Sequence, residues 1–323
     1  MSRLNIIITC GDVNGIGLRC LARAVEHFDV DAQLQIVISP DVLRQCVSVY
    51  RLGGEVLGTT WRIANRDISI EPLTDKFSVT PGTPSDAASR MAVASLERAL
   101  DRTRSGAADC IVTLPVSKHA LQRVGWPYPG QTEMVATYAS GDPMMVLCTR
   151  DLHVALATVH VPLRDVASLL SAELIVHRIH QLHDHLQRRI GIDRPRLALL
   201  GLNPHASEGG RIGDEDVLIC APAVDVLRQS GIDVSGPFPA DGFFGFGSYQ
   251  HYDGVLAMYH DQGLIPLKLL AKGAGVNVTA GLSIIRTSPD HGTAYDMATV
   301  DDIDAQSTRL ALQLACEMVV SQK

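Results

Sequence analysis

Three histidines follow aliphatic runs that read as strands. His160 comes directly after Val-Ala-Leu-Ala-Thr-Val, His260 directly after Val-Leu-Ala-Met-Tyr, and His205 lies four residues beyond Gly201. In open parallel sheets, ligands bind outside the carboxyl ends of the strands, so residues far apart in sequence can meet there. Three neutral imidazoles suit Zn²⁺ or another borderline transition metal with a position left open for water or substrate. Asp261 follows His260 at once and is placed to assist a metal-bound group. The chain has 12 histidines, and any one of them after a strand is equally a loop or hydrogen-bonding residue. Spacing alone leaves both readings open.

Other residues could do chemistry. Arg286 follows an apolar run and precedes a polar turn, where a guanidinium could grip phosphate or carboxylate in a bidentate contact, or simply sit at the surface. Lys268, within Pro-Leu-Lys-Leu-Leu, has apolar neighbours on both sides and so needs a partner or a task. The loops at 203–210 and 273–277 are dense in small and polar residues. Loops of that kind at strand ends either connect or bind. Gly11-Asp-Val-Asn-Gly-Ile-Gly17 follows the first apolar run, but its spacing is not that of the dinucleotide fingerprint. It is expected to be a tight turn. His177, His180, His183 and His185 flank an apolar stripe of Ile175, Ile179, Leu182, Leu186 and Ile190, and are expected on a solvated helix surface.

The elements that would position these residues alternate along the chain. Strands are expected at 4–9, 34–38, 110–114, 144–148, 154–159, 196–201 and 254–259. Helices are expected at 87–100 after a Pro-Ser-Asp start signal, at 166–189 as one long element, and from about 305 to 320. This alternation predicts α/β architecture with largely parallel sheets. Residues 126–130 read as a crossing between domains, with a second crossing after Gly281. The expected division is 1–128 with 285–323 as one discontinuous domain, and 129–284 as a second carrying most of the metal and substrate residues.

Composition narrows the class. The hydrophobic fraction is 46% and the aromatic fraction 5%, so the core must be mostly aliphatic, as in sheets covered by helices. A net charge of -7 without a Lys/Arg run argues against a nucleic-acid partner. An anionic substrate would need a metal or a few placed cations. The first apolar run is too short for a signal peptide, and no stretch approaches the roughly 20 apolar residues of a membrane helix. Seven scattered cysteines without a C-x-x-C pair are expected to be buried free thiols in a reducing, cytoplasmic setting.

Taken together, the segments GDVNGIG (11–17), TLPVSKHAL (113–121), PGQTE (129–133), GLNPHASEGGRIGDED (201–216), GPFPAD (236–241), MYHDQGLIPLKLL (258–270) and GVNVTAGLSIIRTSPDHGTAYDMA (275–298) closely resemble the 4-hydroxythreonine-4-phosphate dehydrogenase family of pyridoxal phosphate biosynthesis. The resemblance implies a two-domain fold like that of isocitrate and isopropylmalate dehydrogenases, with the active site in a cleft at a homodimer interface. It implies His160, His205 and His260 as metal ligands, with His260 reaching across from the partner subunit. It places Gln131, Thr132, Lys268, Asn277 and Arg286 at substrate-anchoring positions. Asp241, Asp261 and Lys268 fall at catalytic ones. NAD, or NADP, is implied near 281–296, contacted by Asp290, His291 and Thr293, with Zn²⁺ as the expected metal and Co²⁺, Mn²⁺ or Mg²⁺ as substitutes. The implied reaction is oxidation of 4-phosphohydroxy-L-threonine to a β-keto acid that decarboxylates to 3-amino-2-oxopropyl phosphate.

Three positions depart from the family pattern. Gln131 replaces a histidine that helps bind phosphate, Arg19 stands where an acidic residue is usual, and Gly242 where threonine is typical. A glutamine can donate a hydrogen bond but carries no charge, so phosphate binding is expected to weaken or the substrate to change. Relatives oxidise phosphorylated four-carbon sugar acids such as 4-phospho-D-threonate or erythronate, or aromatic cis-dihydrodiols. Retention of Lys268, Asn277 and Arg286 favours a phosphorylated substrate. A metal-dependent hydrolase or lyase is the reading from another class, and it would turn over without nicotinamide.

Overall fold

The computed structural model describes residues 3–322. The chain is a mostly parallel α/β protein. It divides into two compact units, residues 1–143 with 282–321, and residues 144–281. The first crossing thus lies at 143/144 rather than at 126–130. Gln131 and Thr132 therefore belong to the first unit. The two prolines and glycines near 126–130 serve a turn within that unit, where Trp126, Met134 and Val135 pack into one core with Ile111 and Leu96.

The first unit begins with β1 (Leu4–Thr9), α1 (Gly17–Glu26), β2 (Ala32–Ile38) and α2 (Pro40–Tyr50). An antiparallel meander follows, of β3 (Glu55–Leu57), β4 (Thr60–Ile63) and β5 (Arg66–Pro72), then α3 (Asp86–Arg104), β6 (Cys110–Val112), α4 (Lys118–Arg123) and α5 (Gln131–Tyr138). Ile6, Ile7 and Ile8 are fully buried because both faces of β1 are covered, which is why the run is continuously apolar rather than alternating. α3 starts where Ser85 leaves the helix: its Oγ accepts from the Ala88 amide, satisfying one donor of the first turn.

The second unit takes in most of β7 (Gly141–Cys148) and then β8 (His153–Leu156), α6 (Val166–Leu169), α7 (Ala172–His185), β9 (Leu197–Leu200), α8 (Ala221–Gln229), β10 (Val234–Phe238), α9 (Ala240–Gly245), β11 (Gly254–Ala257), α10 (His260–Ala271) and β12 (Val276–Leu282). Its strand order is β10-β9-β11-β8-β7-β12, with β9, β10, β11 and β8 parallel and β7 antiparallel to β8. The expected single helix over 166–189 is broken. Leu170 is extended, Ser171 caps a new helix by accepting from the Leu174 amide, and residues 186–190 form a π-turn. The apolar period runs on through the break, so a local start signal outweighed it.

The chain returns to the first unit with β13 (Arg286–Pro289) and α11 (Gln306–Val320). There the order is β13-β6-β1-β2-β5-β4-β3. All seven cysteines are free and buried, as the sequence led us to expect. Among the described residues, no helix is long and apolar enough to cross a membrane.

Candidate active site

In the second unit, register explains how distant histidines meet. β8 and β11 are parallel with Leu156 opposite Ala257. Beyond the strands, the Ala157 amide donates to the Ala257 carbonyl and both the amide and Oγ1 of Thr158 donate to the Met258 carbonyl. The two chains leave the sheet side by side, and the rings of His160 and His260 lie 5.9 Å apart, centroid to centroid. His260 opens α10, and its Nδ1 pairs with Asp261 Oδ1 at 2.7 Å. A carboxylate on Nδ1 fixes the ring and leaves Nε2 as the free donor, an arrangement common to metal-binding histidines.

His205 follows β9, whose neighbour in the sheet is β11. It stands in an unusual turn: His205, Ala206, Ser207 and Glu208 all have positive φ (56°, 48°, 64° and 42°) and Gly209 continues it. Left-handed backbone costs an L-residue roughly 1–2 kcal/mol, so four in a row need strong support. Asp216 supplies it. This buried carboxylate accepts from the Leu202 amide at 2.6 Å, the Asn203 amide at 3.0 Å and the Ser207 hydroxyl at 2.7 Å. Gln262 joins this loop to the His260 end of β11: its Oε1 accepts from the Met258 amide, and its Nε2 donates to the Gly201 carbonyl at 2.6 Å. Neither residue was singled out from sequence. The signal available was only that both sit inside polar stretches flanking a candidate ligand.

Of the other expected residues in this unit, Asp241 is exposed at the start of α9, and Lys268 is exposed on α10. Asn277, on β12, has a buried Oδ1 with no hydrogen-bond partner. Gly242 has room for a side chain, a Cβ there meeting only the Phe246 ring at 3.7 Å, so nothing in the structure demands a glycine.

In the first unit, β1, β6 and β13 run parallel, and the expected site residues divide between the start of β13 (Arg286), the loop after it (Asp290, His291 and Thr293) and the start of α5 (Gln131 and Thr132). Arg286 is 3% exposed, so it is no surface cation. Its Nε and Nη2 donate to Thr113 Oγ1 at 3.0 and 2.7 Å, and Nη2 also reaches Gln131 Oε1 at 3.5 Å. Burial lowers its pKa to about 10, with Glu133 opposing, so it stays a cation at neutral pH. Gln131 and Thr132 open α5, and Gln131 Nε2 donates to the Leu114 carbonyl. Asp290, His291 and Thr293 follow β13. The Asp290 amide donates to Ser307 Oγ, His291 lies within hydrogen-bond distance of the Gly292 carbonyl and Thr308, and the Thr293 carbonyl accepts from the Ile16 amide.

The glycine loop after β1 is a packing device, as expected. A Cβ on Gly11 would lie 2.6 Å from the Pro115 carbonyl and one on Gly15 2.5 Å from that of Thr293. Asp12, buried beneath, accepts from the Asn14 amide and the Tyr295 hydroxyl. Arg19 is equally structural: its Nη1 donates to the carbonyls of Met297 and Ala298 at 3.1 and 3.0 Å, pinning the returning chain.

One expectation fails. His185 is not on a solvated surface but is 3% exposed, with neither ring nitrogen hydrogen-bonded. The apolar stripe it was thought to flank is wider than sequence suggested, because α7 packs against β11 at Gly254, where a Cβ would strike Leu186 and Leu182. Among the described residues, the one trio of such donors lying within 4.8 Å of one another is Cys148, His153 and His185, not the three strand-end histidines.

Imidazoles just beyond the carboxyl ends of parallel strands are the placement expected of an α/β enzyme. Residues 29–315 match the family described as "Pyridoxal phosphate biosynthetic protein PdxA". The chain is 38% identical over 328 residues to a 4-hydroxythreonine-4-phosphate dehydrogenase of Bacteroides thetaiotaomicron, covering 98% of this chain and 89% of that one. It is 41% identical to one of Methylorubrum populi, covering 96% and 93%. A crystal structure of the Klebsiella pneumoniae 4-hydroxythreonine-4-phosphate dehydrogenase superposes with a TM-score of 0.84 at 36% identity, covering 98% of this chain and all of that one. The chain belongs to the PdxA family of pyridoxal phosphate biosynthesis, and it is an oxidoreductase of the dehydrogenase type.

Proposed function

We propose that the chain oxidises 4-phosphohydroxy-L-threonine with NAD, in a reaction that depends on a divalent metal, and that the β-keto acid formed decarboxylates to 3-amino-2-oxopropyl phosphate. The observation that carries this reading is that His160, His205 and His260 all stand just beyond the carboxyl ends of the neighbouring strands β8, β9 and β11, with Asp261 orienting the His260 imidazole. The donor set fits a borderline divalent ion, Zn²⁺ before Co²⁺, Mn²⁺ or Mg²⁺, held by His160, His205 and His260. Such an ion supplies Lewis acidity that lowers the pKa of a bound hydroxyl, and NAD supplies the hydride acceptor.

The chain's own residues bind and orient. Arg286, steadied by Thr113, offers a desolvated cation to phosphate or carboxylate, and a buried guanidinium grips such a group more strongly than a solvated one. Gln131 and Thr132 add neutral donors beside it at the start of α5. Asn277 Oδ1 is placed to accept from the substrate's ammonium or hydroxyl. Lys268 is read as a second anion anchor, and Asp241 and Asp261 as the carboxylates that take up protons. Asp290, His291 and Thr293 are read as lining the nicotinamide nucleotide's groove. The apolar exposed residues of α10 support a homodimer, and seven free thiols suit a reducing cytoplasm.

A second reading rests on Gln131. Loss of the family's histidine removes a charge from the phosphate subsite, so a phosphorylated four-carbon sugar acid could be the preferred substrate. The test is NADH formation with 4-phosphohydroxy-L-threonine beside 4-phospho-D-threonate, with and without a chelator. Chelator-sensitive turnover preferring the amino acid is expected. Preference for the threonate would transfer the chain to the sugar-acid branch, and silence on both would remove the substrate assignment.

A further inference from the structure

A second cluster of donors lies at the opposite end of the second unit's sheet from the strand-end histidines. Cys148 ends β7 and His153 begins β8, and the two are register partners across the hairpin. The turn between them is tightly made: the Thr149 amide donates to the Leu152 carbonyl, and Thr149 Oγ1 accepts from the amides of Asp151 and Leu152. Cys148 Sγ sits 3.0 Å from His153 Nδ1. His185, the last residue of α7, presents its ring edge-on to His153 with centroids 5.8 Å apart. It leads straight into the π-turn of 186–190, a distortion often found at functional sites.

All three side chains are buried: Cys148 completely, His153 to 5% and His185 to 3% exposure. Both nitrogens of His185 lack any partner. A buried polar atom left unsatisfied costs about 1–3 kcal/mol, and such groups in a native fold call for an explanation. One donor atom from each residue lies within 4.8 Å of those of the other two, so a small inward movement would bring all three onto one ion.

We propose that Cys148, His153 and His185 form a second metal site, closed and three-coordinate, for a soft monovalent ion of the Cu(I) type. Thiolate and imidazole are the ligands such an ion prefers. Ligand softness and the charge of the ligand set both favour a monovalent ion. One thiolate and two neutral imidazoles make the site neutral with a monovalent ion but leave a net positive charge with Zn²⁺. That charge would be buried between Arg189, whose guanidinium acts on His185, and Asp253, whose carboxylate acts on His153, so the surroundings offset each other and the ligand set itself fixes the balance. Burial favours the neutral form of both imidazoles, the form that binds metal, and pushes the Cys148 thiol up, so its proton leaves only as an ion arrives. Binding therefore displaces only the thiol proton of Cys148, which passes to solvent while the Sγ–metal bond forms.

The test is anaerobic titration of the metal-free protein with Cu(I) against a chromophoric Cu(I) chelator, repeated for Cys148→Ala, His185→Gln and the control His160→Ala. Wild type should bind one equivalent more than C148A and H185Q, and H160A, which removes a ligand proposed for the strand-end site, should keep the sulfur-bound equivalent. X-ray absorption of the one-equivalent wild-type complex should show one sulfur and two nitrogens around copper, a reading that does not depend on the variants folding. Equal stoichiometry in all four proteins, or a copper shell without sulfur, would overturn the site. A one-equivalent loss seen with Zn²⁺ and not with Cu(I) would overturn the monovalent assignment.

Discussion

Gln131 and Arg286 meet inside the first unit, where the arginine is 3% exposed and held by Thr113. The Gln131 carbonyl oxygen lies 3.5 Å from an Arg286 nitrogen, a weaker contact than the two that Thr113 Oγ1 makes with the same guanidinium at 3.0 and 2.7 Å. An imidazolium at 131 would repel Arg286 but attract a phosphate placed between them. Gln131→His should therefore lower KM for the phosphorylated substrate by about tenfold, the worth of one charge-assisted hydrogen bond. The gain requires the protonated ring, so it should be largest below pH ~6.5 and fade as pH rises. Steady-state kinetics across pH measure it, and a KM unchanged at pH 6 would remove Gln131 from the phosphate subsite. Residue types at this scale were legible where a strand end announced them, as for His160 and His260. They were illegible where the partner is remote: Arg19 could be seen as a departure, but its work on carbonyls 278 and 279 positions away could not.

At the scale of elements, the site depends on a turn that sequence does not advertise. Four consecutive non-glycine residues in left-handed backbone carry His205, and Asp216 holds them through three hydrogen bonds. Asp216→Asn keeps the size but turns an acceptor-only group into one with two donors, facing two backbone amides that need acceptors. The turn should relax toward ordinary φ values and His205 should lose its aim. Metal affinity should fall about 10–100-fold, as when other outer supports of a metal site are removed. A competition titration reads this, with circular dichroism reporting an intact fold; unchanged affinity would mean that the turn holds itself or that His205 is no ligand. The parallel strands β1, β2, β6, β8, β9 and β11 were legible within a few residues because burial on both faces writes a continuous aliphatic run, whereas β10 (Val-Ser-Gly-Pro-Phe) and β13 (Arg-Thr-Ser-Pro), parallel too, carry polar residues, Gly and Pro and were not. The meander of β3 to β5 was not, since its strands are short and half-exposed, and charged residues such as Arg62 and Asp67 pair across it. The break at Leu170 was missed because apolar period says which face is buried, not whether the helix is continuous.

At the scale of the whole molecule, the question is whether one chain completes its own site. The face of α10 that begins with Asp261 continues, at helical spacing, to Ile265 and Leu269, which are 58% and 72% exposed, and Leu163 nearby in sequence to His160 is 69% exposed. Large aliphatic side chains beside candidate ligands mark a surface meant to be covered. A two-fold homodimer uses the same patch twice, so each side chain it covers counts in both protomers. His260 sits at the head of that helix, and the three strand-end histidines do not close to within 4.8 Å in one chain. We therefore expect His260 to serve the partner's site. Mixing His160→Ala with His260→Ala protomers, each inactive alone, tests this directly. If the ligand is supplied across the interface, each mixed dimer regains one intact site of its two. Random pairing of equal amounts makes half the dimers mixed, so about a quarter of wild-type activity should return. If His160 and His260 act together within one chain, as their adjacent rings allow, no mixture can restore a site, and the homodimer would owe its apolar face to stability alone.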